Sequence, residues 1–433
     1  MKVFTSLLLL CFLLSSTPFS AQQKKMSKEL SLKIQQDERI ATVEKMAEDL
    51  IEKGLTAGDG YSEVWIRDLN TFIETGCYVG DKQKLKDALI TFFKFQGKDG
   101  NIVDGYTAKV PVLEEYRFIY SEYEPNLMAH KNTVETDHET SMVQTIYKYI
   151  QATKDTSILN EKINGRTVKE RMGDAMHFLL NERYSSKYGL IWGATTADWG
   201  DVQPEHGWGV TLDSNSHLAI DIYDNAMFII ALNNLSEMLD NKSEAAFWTA
   251  KSKEISKNAR KYLWDKKKQK FIPHIYLDGS PFPAGFDEDA IYYHGGTTIA
   301  IEADLLSKKE IRAAYKRMLQ NVKAANAQTI GLTMYPPYPN GYFENKVMGE
   351  YYYQNGGDWT WFGARTVQQL IRYGMYEEAY SAISPMLDRV IKHKGFYEWW
   401  TPAGVPSGSS SFRGSAGVLW KSIQMFKEQM PKM

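Results

Sequence analysis

Two stretches of this 433-residue chain set carboxylates among aromatic rings. Near the middle runs Gly193-Ala194-Thr195-Thr196-Ala197-Asp198-Trp199-Gly200-Asp201. Near the end runs Gly395-Phe396-Tyr397-Glu398-Trp399-Trp400-Thr401-Pro402, followed by a Gly/Ser loop up to Phe412. A carboxyl group beside an indole suits the cleavage of a glycosidic bond. The ring lines a sugar face, and a desolvated acid keeps its proton until a leaving oxygen takes it. A lone Asp-Trp pair is more often a helix cap beside a core ring. The second motif, and a third at Val64-Trp65-Ile66-Arg67-Asp68, shift that balance. Asp198 is the expected general acid, and Glu398 is the second carboxylate expected at the site. Asp201 is the second choice of acid, and Asp287 and Asp358 are the alternatives to Glu398. Arg67 and Asp68 are further candidates for the site. Trp65, Trp199, Trp359 and Trp399 are expected to form stacking walls, with Asp201 and Asp358 also in the binding site.

The elements that would position these groups are helical. Apolar residues recur at helical spacing in Leu30–Lys53, with the face interrupted at Asp37. Further helices are expected from about Glu63 to Val79, Asp81 to Phe95, Glu135 to Thr153, Thr167 to Tyr184, Ala219 to Leu239 and Ser243 to Leu263. The pattern resumes over Asp287–Leu305, Ser307–Val322, Gln354–Tyr373, Tyr376–Ile391 and Phe412–Lys427. That makes twelve helices in six pairs. One member of each pair carries a charged stripe; the other has a polar or aromatic start and a nearly apolar body. A helix that is apolar all round is buried, and one with a charged face meets water. Strict alternation of the two kinds predicts an all-α fold, an (α/α)6 toroid of six helical hairpins, as one catalytic domain over residues 30–433. Its inner helix starts would gather at one end and carry the site. Strand patterning is scarce; Lys270–Leu277 is the best candidate for a short hairpin arm. Gln96–Thr133, rich in Gly, Pro and Tyr, is an irregular excursion.

Composition narrows the partners. The net charge of −2 leaves no basic footprint for nucleic acid. Aromatic residues make up 13% of the chain, which suits carbohydrate binding. Met1 and Lys2 precede an apolar run, Val3 to Leu14, and then Ser15-Ser16-Thr17-Pro18-Phe19-Ser20-Ala21. This reads as a signal peptide over residues 1–21, too short to span a bilayer, and it implies a periplasmic or extracellular protein. Residues 22–29 are polar and expected to be disordered. After cleavage only Cys77 remains, so no intrachain disulfide is expected. Asp287-Glu288-Asp289 lacks a full loop of oxygen ligands for calcium. No metal and no cofactor are expected. A carbohydrate substrate and a monomeric chain without a membrane span are.

Four motifs resemble those of the six-hairpin glycosidases. Val64-Trp65-Ile66-Arg67-Asp68 is similar to the Trp-x-Arg-Asp segment of glucoamylases, whose Arg-Asp pair grips the terminal sugar. Ala197-Asp198-Trp199-Gly200-Asp201 resembles the Ala-Asp-Trp-Asn-Asp of cellobiose phosphorylases, whose first Asp is the general acid. Phe396-Tyr397-Glu398 resembles segments of processing α-glucosidase I, trehalases and alkaline invertases; in the first two the Glu is the general base. Gln354-Asn355-Gly356-Gly357-Asp358-Trp359 is similar to the Gln-Asn-Gly-Gly-Ser-Trp of alkaline invertases. The motifs match different families and select none. The resemblance implies a glycoside hydrolase acting by inversion, with Asp198 and Glu398 on opposite faces of the sugar. Gly200 replaces the phosphorylase Asn, and a Glu398 base favours water over phosphate. The rival readings are a glycoside phosphorylase, a glycan-binding protein without activity, and a sugar isomerase or epimerase on the same barrel. The last depends on paired histidines, for which His138, His206, His217, His274 and His294 are available.

Overall fold

Helix starts fall into two chemical kinds, and the division sorts the molecule. The computed structural model describes residues 25–110 and 118–430; the expected leader lies outside the described residues, as do residues 22–24. Thirteen α-helices occur among the described residues. They are α1 (Lys28–Gln36), α2 (Glu38–Ile51), α3 (Ile66–Val79), α4 (Lys82–Lys94), α5 (Asp137–Thr153), α6 (Val168–Glu182) and α7 (Ile222–Met238). After these come α8 (Lys242–Tyr262), α9 (His294–Glu302), α10 (Lys308–Ala324), α11 (Thr360–Arg372), α12 (Tyr376–His393) and α13 (Arg413–Gln429). α1, α2, α4, α6, α8 and α10 begin with Ser27, Asp37, Asp81, Thr167, Asn241 and Ser307, whose side chains accept first-turn N–H groups. Such caps satisfy helix starts that would otherwise be orphaned. In α3, α5, α9, α11 and α13 that position holds Trp65, Thr136, Tyr293, Trp359 and Phe412, with no side-chain cap. Asp221 caps α7, and α12 starts uncapped at Met375.

The aromatic-start helices, together with α5 and α7, pack in cyclic order. α3 meets α5, then α5 meets α7, α7 meets α9, α9 meets α11 and α11 meets α13; α13 returns to α3. The other helices pack on the outside of these: α2 on α13 and α3, α4 on α3 and α5, α6 on α5 and α7, α8 on α7, α10 on α9, α12 on α11. Burial follows the same division. α9 is buried from His294 to Ile301, whereas α8 buries only the stripe Trp248, Ser252, Ile255 and Ala259. α13 and α3 approach closely at Gly417, where a Cβ would sit 2.4 Å from the Phe72 Cβ. One apolar cluster runs through all of this, from Met26 to Phe426. A smaller one, with Ala197, Val202, Tyr293 and Tyr338, underlies the loops. No helix among the described residues is long and apolar enough to cross a membrane.

Several expectations need correction. The first pattern breaks into two helices because Asp37 accepts the Arg39 N–H at 3.1 Å and pairs with its guanidinium at 2.6 Å, capping a new helix. α1 also begins at Lys28, so residues 28 and 29 of the segment expected to be disordered are helical. The fold is predominantly helical but not purely so. Val64–Trp65 pairs with Gly105–Ala108, which pairs with Leu127–His130, so part of the excursion is a small antiparallel sheet beside the start of α3. Lys270–Leu277 is no hairpin. Lys270–Phe271 pairs with Trp264–Asp265, and Ile275–Tyr276 with Leu218–Ile220. Pro273 stands between the two strands and cannot donate to a ladder, so the pairing changes partner there.

Candidate active site

The starts of α3, α5, α11 and α13 open on a cavity of about 840 Å³. Arg67, Asp68, His138, Trp361 and Phe412 reach it from or beside those starts. Loops add Tyr61, Asp104, Asn132, Glu135, Trp199, Asp201, Tyr353, Gln354, Glu398 and Trp399. Of the expected site residues, Trp65, Arg67, Asp68, Trp199, Asp201, Trp359, Glu398 and Trp399 all line it. Asp198 and Asp358 do not, and neither does Asp287, which is exposed.

Asp198 and Asp358 do structural work instead. Asp198, at φ +60°, turns away from the cavity. Its two carboxylate oxygens accept the Gly296 N–H at 2.9 and 3.0 Å, in the first turn of α9. Carboxylates favour that position, where orphaned N–H groups and the helix dipole meet. Burial pushes its carboxyl up to about 8, against the pull of the Gly296 and Gly295 amides. Asp358 pairs with Arg389 at 3.0 Å and accepts from the Thr329 N–H at 3.0 Å. Its backbone exchanges hydrogen bonds with Trp400 at 2.8 and 2.9 Å, which fixes the strand just after Glu398.

Asp201 occupies the place expected of Asp198. Its backbone is tied on both sides: the N–H donates to Gln354 Oε1 at 3.1 Å, and the carbonyl accepts from Asn132 Nδ2 at 2.8 Å. The carboxyl is left loose. Tyr353 approaches Oδ2 at 3.4 Å, and Oδ1 is buried without a partner. Burial raises its pKa, with Arg67 opposing.

Glu398 is clamped through Ser409. The Glu398 N–H donates to the Ser409 carbonyl at 2.9 Å, and the Ser409 N–H donates back to Oε2 at 3.1 Å. Tyr61 donates to the same Oε2 at 3.0 Å, so both bonds fall on one oxygen. Asp59 holds the loop in turn, accepting from Ser409 Oγ and from the Ser411 N–H at 2.8 Å. Gly408, at φ +67°, lets the carboxylate in; a Cβ there would stand 2.4 Å from Oε2. Burial raises the Glu398 pKa; Ser409 and Tyr61 oppose it, and Asp201 adds to it.

The cavity floor is more acidic than basic. Burial and neighbouring Glu398 push the Asp68 carboxyl up to about 7, and its Oδ1 has no partner. Asp104, from the excursion, accepts the Asn132 N–H at 2.9 Å on Oδ2 and leaves Oδ1 unpartnered. Arg67 is not free to grip a sugar as expected. Its guanidinium pairs with Asp137 at 2.8 Å and with Glu135. Glu135, Asp137 and His138 stand close enough to share a cation, and Arg67 already supplies one. Burial works against ionising Asp137, but the Arg67 guanidinium outweighs it and holds its pKa low. His138 meets Glu135 at 2.6 Å, and burial lowers its pKa to about 4, leaving a neutral ring. The expected stacking walls Trp199 and Trp359 are 1% and 2% exposed and pack edge to face at 4.9 Å, so they form the floor more than a platform.

Tyr61, Asp59, Asp104 and Asn132 escaped the sequence reading. Their signal was weak: a Gly-Asp-Gly turn and polar residues in an unpatterned stretch. Asp198 braces the start of α9. Its raised folded pKa gives stability that is present below the unfolded value near 4 and lost as pH rises toward about 8. Asn tolerates φ above zero and does not ionise. Melting curves at pH 5 and 8.5 should therefore differ less for Asp198→Asn than for the wild type.

Known proteins resemble this chain in fold. No protein-family model matches it, and no curated protein matches its sequence. A GH63 mannosylglycerate hydrolase from Thermus thermophilus, in complex with Tris and D-glycerate, superposes with a TM-score of 0.61 at 14% identity. The match covers 88% of this chain and 100% of that one. A rhamnosidase from Klebsiella oxytoca with rhamnose bound gives 0.58 at 13% identity, over 90% of this chain and 64% of that one. A GH78 rhamnosidase of Bacillus sp. GL1 gives 0.58 at 12%, over 89% and 34%. This chain thus spans under two thirds of the rhamnosidases' length. These neighbours are six-hairpin (α/α)6-barrel glycosidases, and at such identities the likeness is one of fold.

Proposed function

We propose that this protein is an exported glycoside hydrolase on an (α/α)6 toroid, acting by inversion with Asp201 as general acid and Glu398 as general base. The cyclic packing of α3, α5, α7, α9, α11 and α13 supports the toroid. One observation carries the chemistry: Asp201 and Glu398 line the same cavity, both with raised pKa, and each keeps an oxygen out of the surrounding hydrogen bonds. Protonated Asp201, which lines the cavity, donates to the leaving oxygen. Tyr61 and the Ser409 N–H hold Glu398 by Oε2, which leaves Oε1 for the attacking water. Inversion needs the carboxyls about 6.5–9.5 Å apart, with room for that water. Asp68 and Asp104, which also line the cavity, accept hydroxyls of the bound sugar.

The rivals fit less well. Among the described residues His138 is the lone histidine lining the cavity, and it is held neutral. An isomerase working through paired histidines lacks its pair there. A phosphorylase needs cations for phosphate beside the sugar; of the two among the described residues that line this cavity, Arg67 is paired with Glu135 and Asp137, which leaves Lys346 against Asp68, Asp201 and Glu398.

The direct test is a panel of α- and β-linked glucosides, mannosides and rhamnosides, with mannosylglycerate included because a structural neighbour acts on it. Release of a free sugar supports the reading; phosphate-dependent cleavage, epimerisation or binding alone overturns it. The pH dependence follows from the two raised pKa values. Glu398 must be ionised and Asp201 protonated, so kcat/KM should be bell-shaped, with both limbs above the ordinary carboxylate range. On a glycosyl fluoride, whose departure needs no proton, the alkaline limb should be absent and the acid limb should stay.

A further inference from the structure

The six inner helices enclose a second cavity, of about 270 Å³, toward the end away from their starts. All six line it, from Glu74 of α3 to Lys421 of α13. Its wall is charged. Lys148, Arg365, Arg372 and Lys421 stand there against two carboxylates, Glu74 and Glu302. Three of the cations are matched. Arg365 pairs with Glu302 at 2.9 Å, Lys421 with Glu74 at 2.7 Å, and Arg372 with Asp304. Lys148 is not. Its ammonium has three N–H donors, and the partner it has among the described residues is the Asn70 carbonyl at 2.8 Å, not a carboxylate. Burial and the Arg365 charge lower its pKa to about 8, with Glu302 and Glu74 opposing and Lys421 adding. α7 brings Ile230 and Asn234 to the wall and no charge. Cations are ordinary in the last turn of a helix, where the dipole favours them. That accounts for Arg372, the last residue of α11. Lys148 stands more than a turn before Thr153, where α5 ends. An ammonium drawn out of water without a counter-charge costs free energy, and a bound anion offsets it.

We propose that this cavity is a second binding site, for a small oxyanion of phosphate size, with Lys148 as its counter-charge. Charge and shape both select that class. The unmatched charge is positive, so a cation or a neutral sugar gains nothing from it. A tetrahedral oxyanion offers acceptors on every side, and the side-chain amides of Gln151 and Asn234 line the cavity as further donors. Inorganic sulfate or phosphate and the phosphate group of a small ester share this chemistry. Among the described residues none lines both cavities. Binding here is therefore independent of whether the protein cleaves sugars.

Isothermal calorimetry on the whole chain, with sodium sulfate and with ionic strength held constant by chloride, is the test. One saturable site is expected at pH 7. Lys148→Met should weaken it about tenfold or more, and Lys148→Arg should keep it. Sulfate does not titrate in this range, whereas Lys148 does. Raising the pH from 7 to 9.5 should therefore weaken binding to the wild type, again about tenfold or more. That measurement decides even where Lys148→Met does not fold. Inorganic phosphate and glycerol phosphate, compared at pH 7, separate the sources: tighter binding of the ester marks a phosphorylated metabolite, and equal or weaker binding marks the free anion. No saturable binding in the wild type, binding unchanged in Lys148→Met, or binding indifferent to pH overturns the site.

Discussion

Asp201→Asn should cut cleavage of a natural disaccharide by about 10²–10⁴-fold and spare much of the rate on the matching glycosyl fluoride. The two substrates differ in what must leave. A sugar oxygen departs poorly as an alkoxide and needs a proton; fluoride departs without one. Asp201 is the cavity-lining carboxyl whose backbone is fixed by Gln354 and Asn132 and whose Oδ1 has no other partner. The amide keeps its shape and hydrogen bonds but has no acidic proton. The backbone ties stay in place, so the melting curve should not shift. If the disaccharide rate survives, Asp201 is not the acid, and a parallel loss in Asp198→Asn would return the role to that residue.

Glu398→Gln should instead lose both substrates, again by about 10²–10⁴-fold. Water must be activated whatever departs, so an easy leaving group offers no rescue. The clamp through Ser409 and Tyr61 places the carboxylate independently of substrate. A Gln oxygen can still accept both bonds, so the variant should fold and bind sugar with near wild-type affinity. Fluoride hydrolysis at the wild-type rate would exclude Glu398 as the base. Steady-state rates on the two substrates for the two variants separate the roles completely.

The helical frame was legible because its signal is periodic and repeated. Inner and outer helices differ in their starts, Trp65, Tyr293, Trp359 and Phe412 on one side against Asp81, Asn241 and Ser307 on the other. The sequence carries part of that contrast, polar or aromatic starts against plain Asp and Ser, but it points to Asp287 as an inner start, where the helix begins at His294. The motif around Trp199 was found, but the choice between its two acids was not decidable in sequence. Both flank one indole, and what separates them is a backbone turn. Positive φ at Asp198 sends its side chain to the start of α9, and Asp201, three residues on, reaches the cavity. Arg67 lines the cavity, but its ion pairs with Glu135 and Asp137 come from a loop and helix about seventy residues away, which spacing does not encode. Asp104 lay in the excursion, where residues carry no helical period and pairing with Val64–Trp65 supplies the order. Tyr61 and Asp59 act only because the last loop folds back onto the first, a contact across some 350 residues.

The most direct measurement is proton NMR of the first sugar released from a cleaved disaccharide, recorded before the anomers equilibrate. A base that activates water on the face opposite the leaving oxygen must deliver the anomer inverted from the substrate linkage. An inverted first product, lost in Glu398→Gln, is the expected result. A retained anomer would mean that a carboxylate attacks carbon directly, and would contradict the assignment of Glu398 as a base acting through water.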